Sequence, residues 1–150
     1  MITYIDCIKR YGNPFESIEA RIRFERRWMQ IISVDEELSR HFPALPMKLY
    51  INSDMYFPLM SALANLIQEG IGEELREYNG IFNIRKQRGY SKPSLHSWGV
   101  AIDINASQNP LGRAPRMSEK FVQCFEQAGF DWGGKWKRPD GMHFQLSRLP

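Results

Sequence analysis

Hydrophobic residues recur at helical spacing in several segments of the chain. The first of these segments carries two apolar stripes side by side: Phe24, Trp28 and Ile31 in one, and Ile18, Ile22 and Met29 in the other. Both stripes have the spacing of one helix face, so they predict a helix in the first fifty residues that is packed on two sides. A basic face lies between the stripes, formed by Arg21, Arg23, Arg26 and Arg27. We expect this face to be solvated; contact with an anionic polymer is the alternative.

Two more helices are predicted further along the chain. Leucines at helical spacing between about Ser53 and Glu69 predict the first, with Pro58 tolerated only near its first turn. The second is marked by Ser118, a favourable N-cap, and by Gly129, a typical helix stop.

Three segments alternate instead between apolar and polar residues, which is the pattern of β-strands. They are Lys48–Ile51, Val100–Ile104 and Met142–Leu146. Helices therefore come first and strands dominate the C-terminal half, so an α+β fold is expected. A length of 150 residues, 43% of them hydrophobic, favours one small domain over residues 1–150.

Composition narrows the classes of function. The net charge of +3 is too small to indicate nucleic-acid binding, and no apolar run reaches the roughly 18 residues that a membrane span needs. Five charged side chains among the first twenty residues argue against a secretory signal, so synthesis in the cytoplasm is expected. Cys7 and Cys124 are far apart and form no CxxC motif, so two buried, reduced thiols are expected.

The stretch SLHSWGVAIDIN at positions 94–105 places a charged residue on a predicted strand. The branched residues of this strand would point to one face, whereas Asp103 would point to the other. A buried aspartate is costly without a cation, and no Lys or Arg alternates along that face. A metal ion would satisfy Asp103, and a turn at Gly99 would bring the imidazole of His96 back toward it.

The second candidate segment is DGMHFQ, from Asp140 to Gln145. Together with His96 and Asp103, His143 would complete a set of two imidazoles and one carboxylate, which is common in catalytic zinc sites. Asp140 is placed to act as a general base beside such a site. From spacing alone, an alternative stays open: both histidines are ordinary core residues, and the two aspartates make turn or cap hydrogen bonds.

The two motifs together resemble the zinc peptidases of peptidoglycan, which include the VanY-type D-Ala-D-Ala carboxypeptidases and the phage L-alanyl-D-glutamate endopeptidases. The shared pattern is SxHxxGxAxD followed by carboxylate-x-x-His. It is matched here by Ser94, His96, Gly99, Ala101, Asp103, Asp140 and His143. The segments NIRKQRG at 83–89 and GFDWGGKW at 129–136 are similar to the phage branch, and the likeness spans most of residues 80–146.

The resemblance implies a fold and a set of roles. The fold would be hedgehog/DD-peptidase-like, with N-terminal helices packed on an antiparallel sheet that carries the zinc site. The Zn²⁺ ligands would be His96, Asp103 and His143. Asp140 would be the catalytic base, and Arg85 would supply positive charge to the peptide carbonyl, with Arg88 as the alternative. Ser94 would orient a loop or contact the substrate.

The substrate that the resemblance implies is the peptidoglycan stem peptide. Asp rather than Glu at position 140 favours the L-alanyl-D-glutamate endopeptidases over the D-Ala-D-Ala carboxypeptidases. A zinc-stabilised binding or structural module is the third alternative, because the hedgehog signalling domain resembles the same scaffold. We further expect a monomer that neither binds nucleic acid nor inserts into a membrane, and that acts on the cell wall after release during phage lysis.

Two sets of residues outside these motifs complete the expectations. His41 is expected to be an ordinary surface residue in a Pro-flanked loop. Of Trp98, Trp132 and Trp136, at least two are expected in the core, because indoles bury large apolar areas.

Overall fold

The computed structural model describes residues 1–150 as five α-helices, six β-strands and several short 3₁₀ turns. The helices are α1 (Tyr4–Tyr11), α2 (Ile18–Trp28), α3 (Glu36–His41), α4 (Tyr56–Gln68) and α5 (Glu119–Gln127). The strands are β1 (Met29–Ser33), β2 (Lys48–Asn52), β3 (Tyr78–Gly80), β4 (Ala101–Ile104), β5 (Phe130–Trp132) and β6 (His143–Leu146). The predicted α+β class is confirmed.

The strands form two antiparallel sheets. β1 pairs with β2, and the other four strands form a sheet in the order β3-β4-β6-β5. The second sheet is the strand-rich C-terminal half that the sequence predicts. Its two central strands, β4 and β6, are the two predicted there from period-two alternation.

Aromatic residues join this sheet to the helices. Phe125 of α5 packs on Phe144 of β6 with ring centroids 4.4 Å apart, and it also contacts Phe130 of β5. α4 packs against α5. The buried core extends from Cys7 in α1 to Leu146 in β6, so the two halves of the chain share one hydrophobic core. None of the helices has both the length and the apolar character needed to cross a membrane.

Several local predictions are confirmed. β2 begins at Lys48, and Pro58 lies in the first turn of α4. Ser118 caps α5, because its hydroxyl accepts the backbone N–H of Phe121 at 3.1 Å. Cys7 and Cys124 are both free and buried.

The predicted two-sided helix near the N-terminus is wrong in two respects. α2 ends at Trp28, and Ile31 lies in β1, where it is paired with Tyr50 of β2. The second stripe does not pack either, because Ile18 is 74% exposed and Ile22 is 43% exposed. The physical reason is that Ile31 and its β-branched neighbour Ile32 suit a strand better than a helix once a partner strand is present.

Two smaller predictions concern the same half of the chain. All four arginines of the basic face are exposed, as expected, and Arg21 pairs with Glu25 one helical turn away at 2.9 Å. His41 is exposed as predicted, but it is the last residue of α3 rather than part of a loop.

Candidate metal centre

The pairing of β4 with β6 brings Asp103 and His143 together. The two residues are direct partners in the antiparallel register, so their side chains leave the same face of the sheet. His143 Nδ1 lies 3.2 Å from Asp103 Oδ1. Residues 40 positions apart in the chain therefore meet because two short strands are paired in one register.

His96 reaches the same carboxylate from a 3₁₀ turn, Leu95–Trp98. Ser94 caps the start of this turn, and Gly99 ends it in the left-handed conformation at φ 67°. The reversal at Gly99 leads directly into β4, and it returns His96 Nε2 to within 3.1 Å of Asp103 Oδ1. One donor atom from each of His96, Asp103 and His143 lies within 4.8 Å of the other two.

Hydrogen bonds on the far side of each ring determine which nitrogen faces the cluster. His96 Nδ1 lies 2.7 Å from the carbonyl oxygen of Ile81, which can only accept, so Nδ1 carries the proton and the Nε2 lone pair faces Asp103. His143 Nε2 lies 2.9 Å from Gln145 Oε1, so in the neutral ring Nε2 carries the proton and the Nδ1 lone pair faces Asp103.

This arrangement directs two nitrogen lone pairs and a carboxylate at one point. His96 Nε2 is buried, and it has no hydrogen-bond partner in spite of its short distance from Asp103. Two imidazoles and one carboxylate, each held from behind by a second hydrogen bond or by strand pairing, are a donor set that suits Zn²⁺. The residues present therefore fit the ion that the sequence motif implies.

Without a metal, the cluster is held by charge. Burial favours the neutral form of Asp103, but its contacts with His143 and His96 outweigh burial and hold its pKa well below the usual range. Burial disfavours protonation of His143, whereas Asp103 favours it more strongly, so the pKa of His143 is raised. A cation, either a proton or a metal ion, is therefore stabilised between these side chains.

Asp140 lies in the same groove and is not part of the three-residue cluster. Its Oδ1 atom is buried without a hydrogen-bond partner. Burial is the main reason that the pKa of Asp140 is raised, and the charge of Asp103 adds to this effect, while His143, His96 and Arg88 oppose it. A partly desolvated carboxylate without a partner is a stronger base than one in water, so Asp140 is suited to accept a proton.

Arg85 and Arg88 both line the groove. Arg85 donates through Nη1 to the carbonyl oxygen of Lys86 at 3.1 Å, and its backbone N–H is held by Ser97. Arg88 is exposed, and its charge lowers the pKa of Asp140. Both guanidinium groups therefore remain candidates for the cation that faces a substrate carbonyl.

Ser94 also lines the groove, but its hydroxyl makes a contact within the chain. It is 4% exposed, and its Oγ accepts the backbone N–H of His96 at 3.3 Å. Its own N–H donates to the carbonyl oxygen of Arg85 at 2.9 Å. Ser94 therefore caps the turn that carries His96.

The groove around the cluster has a volume of about 570 Å³. Residues Met1 to Ile5 line part of it, which no motif in the sequence indicated. Trp136 lines it as well, with its ring 5.3 Å from that of His143. Trp98 is fully buried and Trp132 packs on the core, so the expectation that at least two of the three tryptophans lie in the core is confirmed.

Gln145 is the site residue that sequence reasoning missed. It follows His143 by two positions on β6, so both side chains point to the same face of the strand. That period-two relation was the available signal, since a polar residue two positions after a candidate ligand shares the ligand's face.

Residues 88–146 match a family model described as D-alanyl-D-alanine carboxypeptidase. The matched segment contains the three clustered residues, Ser94 and Asp140, and it begins after Arg85. No curated protein and no solved structure matches the chain. The family match supports a peptidase that acts on peptidoglycan, and the three clustered residues are a set that could hold a metal ion.

Proposed function

We propose that this protein hydrolyses a peptide bond of the peptidoglycan stem peptide with Zn²⁺ as cofactor, and that the bond lies between L-Ala and D-Glu. The observation that carries the proposal is the convergence of His96 Nε2, His143 Nδ1 and Asp103 on one point beside the unpartnered carboxylate of Asp140. The family match over residues 88–146 supports the peptidase class.

Each residue has a defined task in this proposal. The ion would be held by His96, Asp103 and His143, and bound zinc supplies Lewis acidity that acidifies water and polarises a carbonyl group. Asp140 accepts the proton of the attacking water and donates it to the leaving amine. Arg85 provides positive charge for the oxygen of the scissile carbonyl, and the indole of Trp136 shields the site on the side of His143.

The choice of bond follows the sequence motif. Asp140 has the shorter carboxylate side chain that the phage endopeptidases share. The matching family, described as D-alanyl-D-alanine carboxypeptidase, favours a second candidate, removal of the terminal D-Ala. Digestion of purified stem peptide and mass analysis of the fragments separates the two: we expect a cut after L-Ala, whereas release of free D-Ala without that cut would establish the carboxypeptidase.

Activity and zinc content together test the proposal. We expect the purified protein to contain about one zinc ion per chain, to solubilise purified peptidoglycan and to lose this activity when a chelator removes the metal. Asp140→Asn should lower kcat by at least about 100-fold with zinc still bound, because a general base contributes roughly 100- to 10,000-fold. Asp131→Asn, a carboxylate outside the groove, is the matched control. Wild-type protein that binds zinc but has no activity on any stem peptide would favour the binding module.

We extend the proposal to a lytic role during phage release, which the likeness of the sequence to the phage branch supports. Added to Gram-negative cells with a permeabilised outer membrane, the protein should cause lysis that Asp140→Asn abolishes. Hydrolysis of isolated peptidoglycan without lysis of such cells would contradict this role and leave the enzymatic proposal intact.

A further inference from the structure

We infer that the groove selects stem peptides whose carboxylates are free over the same peptides in which these groups are primary amides. This inference rests on the proposed function and deepens it, because it names the charge state that the substrate needs. Its basis is a ring of cations around the groove, Arg85, Arg88, Lys92, Lys137 and Arg138.

The groove concentrates the positive charge of the chain. Its only carboxylates are Asp103 and Asp140, which serve the metal cluster and the proton transfer. The charged side chains of the groove therefore sum to +3, which equals the net charge of all 150 residues, so the rest of the chain is neutral in total. Around this cavity, cations outnumber carboxylates by five to two.

None of the five cations forms a salt bridge within the chain, and Arg88 acts on Asp140 only at longer range. The salt bridges of Lys and Arg in the structure are Arg10–Asp54, Arg21–Glu25, Lys120–Glu69 and Lys135–Glu126. All four lie on other surfaces. The five cations around the groove, in contrast, have no salt bridge, and unpaired positive charge around a groove favours binding of an anionic ligand there.

The backbone holds these cations in two segments that meet. Residues 85–94 form a hairpin, in which Ser94 N–H donates to Arg85 O at 2.9 Å and Gln87 N–H donates to Lys92 O at 2.8 Å. Arg138, from the other segment, donates to the carbonyl oxygen of Arg88 at 3.1 Å. A carbonyl oxygen occupies one donor but leaves the guanidinium charge uncompensated, so Arg138 keeps its other donors for a ligand.

A free carboxylate beside the scissile bond would accept charge-assisted hydrogen bonds from this ring. Such bonds are about twice as strong as those between neutral groups. A primary amide has the same shape but no charge, and its NH₂ group would face cationic donors. Amidation of the substrate should therefore weaken its binding without a steric clash.

The experiment compares two synthetic stem peptides that differ only in the D-glutamyl carboxylate, free in one and a primary amide in the other. We expect the zinc-loaded protein to hydrolyse the free acid with a kcat/KM at least about tenfold higher. The double variant Lys92→Gln/Lys137→Gln should reduce this preference to about threefold or less, mainly by lowering kcat/KM for the free acid. Both side chains are exposed and make no side-chain hydrogen bond, so the fold should be retained. Lys120→Gln, an exposed cation outside the groove, is the matched control.

The possible results are distinguishable. Equal hydrolysis of the two peptides would overturn this inference and leave the proposed function standing. A preference that the double variant retains in full would also overturn it, because other groups would then recognise the carboxylate. No hydrolysis of either peptide, by protein that contains zinc, would overturn the proposed function and this inference with it.

Discussion

Replacement of Gln145 by leucine tests whether a buried amide sets the zinc affinity of the candidate site. Gln145 Oε1 accepts the Nε2–H of His143 at 2.9 Å, and its amide nitrogen donates to the carbonyl oxygen of Ile2 at 3.5 Å. The second contact orients the amide so that oxygen, not nitrogen, faces the ring. Because Gln145 is 4% exposed, bulk water does not reach this position to replace the lost acceptor.

The size of the effect follows from where the ring proton moves. In Gln145→Leu the acceptor that remains beside the His143 ring is Asp103 Oδ1, 3.2 Å from Nδ1, so the proton is more stable on Nδ1. A metal ion would then have to displace it. Loss of the partner behind a metal-binding histidine typically lowers affinity about 10- to 100-fold, and we expect a loss of this size, equal to about 1.4 to 2.8 kcal/mol.

Two measurements check this prediction without depending on catalysis. Competition with a chromogenic chelator measures the zinc affinity. The ¹⁵N shifts of the His143 ring, recorded in metal-free protein at a pH where the ring is neutral, show which nitrogen carries the proton. Gln145→Glu keeps an acceptor and should retain zinc affinity within a few-fold. Asn65→Leu removes another partly buried amide, which donates to Cys124 O at 3.0 Å, and should not change zinc affinity. Wild-type affinity in Gln145→Leu, with the proton still on Nε2, would refute the reasoning.

Three further predictions concern the fold. Burial raises the pKa of Cys7 to about 12 and also raises the pKa of Cys124. Neither thiol should therefore react with iodoacetamide at pH 8 until urea unfolds the protein, and mass spectrometry would reveal any modification of the native state. Gly99→Ala should lower the free energy of unfolding by about 2 kcal/mol or more in urea titrations, because φ is 67° and the added Cβ would lie 2.7 Å from the Met29 side chain. Asn105 has a φ of 55°, and its side chain accepts two backbone N–H groups and donates to the carbonyl oxygen of Glu74. Asn105→Ala should therefore lower the free energy of unfolding by about 3 kcal/mol, and Asn105→Gly should lower it less, because glycine adopts the left-handed backbone without strain. Equal losses in the two variants would show that the left-handed backbone contributes nothing.

Local patterns were sufficient to predict the strands that carry the site. The alternation of small and branched residues before Asp103, and of apolar residues after His143, depends only on which face of a strand each residue occupies. The cap at Ser118 and the stop at Gly129 are equally local. What alternation does not determine is the register that makes Asp103 and His143 direct partners; here the motif, rather than the spacing, indicated that the two would meet.

Tertiary contacts decided the features that sequence reasoning missed. Phe24, Trp28 and Ile31 have helical spacing, but the pairing of β1 with β2 determines the conformation of Ile31. The predicted apolar stripe is therefore divided between a helix and a strand. The role of Gln145 depends on a ring nitrogen of His143 and on a carbonyl oxygen at the other end of the chain. No pattern within a short window contains that information.

Replacement of Ser94 distinguishes a structural role of this residue from a contact with the substrate. Both roles are open because Ser94 belongs to the sequence motif and also lines the groove. Its hydroxyl accepts the N–H of His96, so Ser94→Ala should lower the free energy of unfolding by about 1 kcal/mol, as other lost caps do. Zinc affinity should fall too, because the turn that carries His96 is less firmly held, whereas KM for the stem peptide should stay near its wild-type value once zinc is saturating. Ser94→Thr keeps the oxygen and should restore both stability and zinc affinity. If Ser94→Ala instead unfolds like the wild type and only KM rises, the hydroxyl contacts the substrate, and the orientation of His96 depends on the Ile81 carbonyl and Gly99 alone.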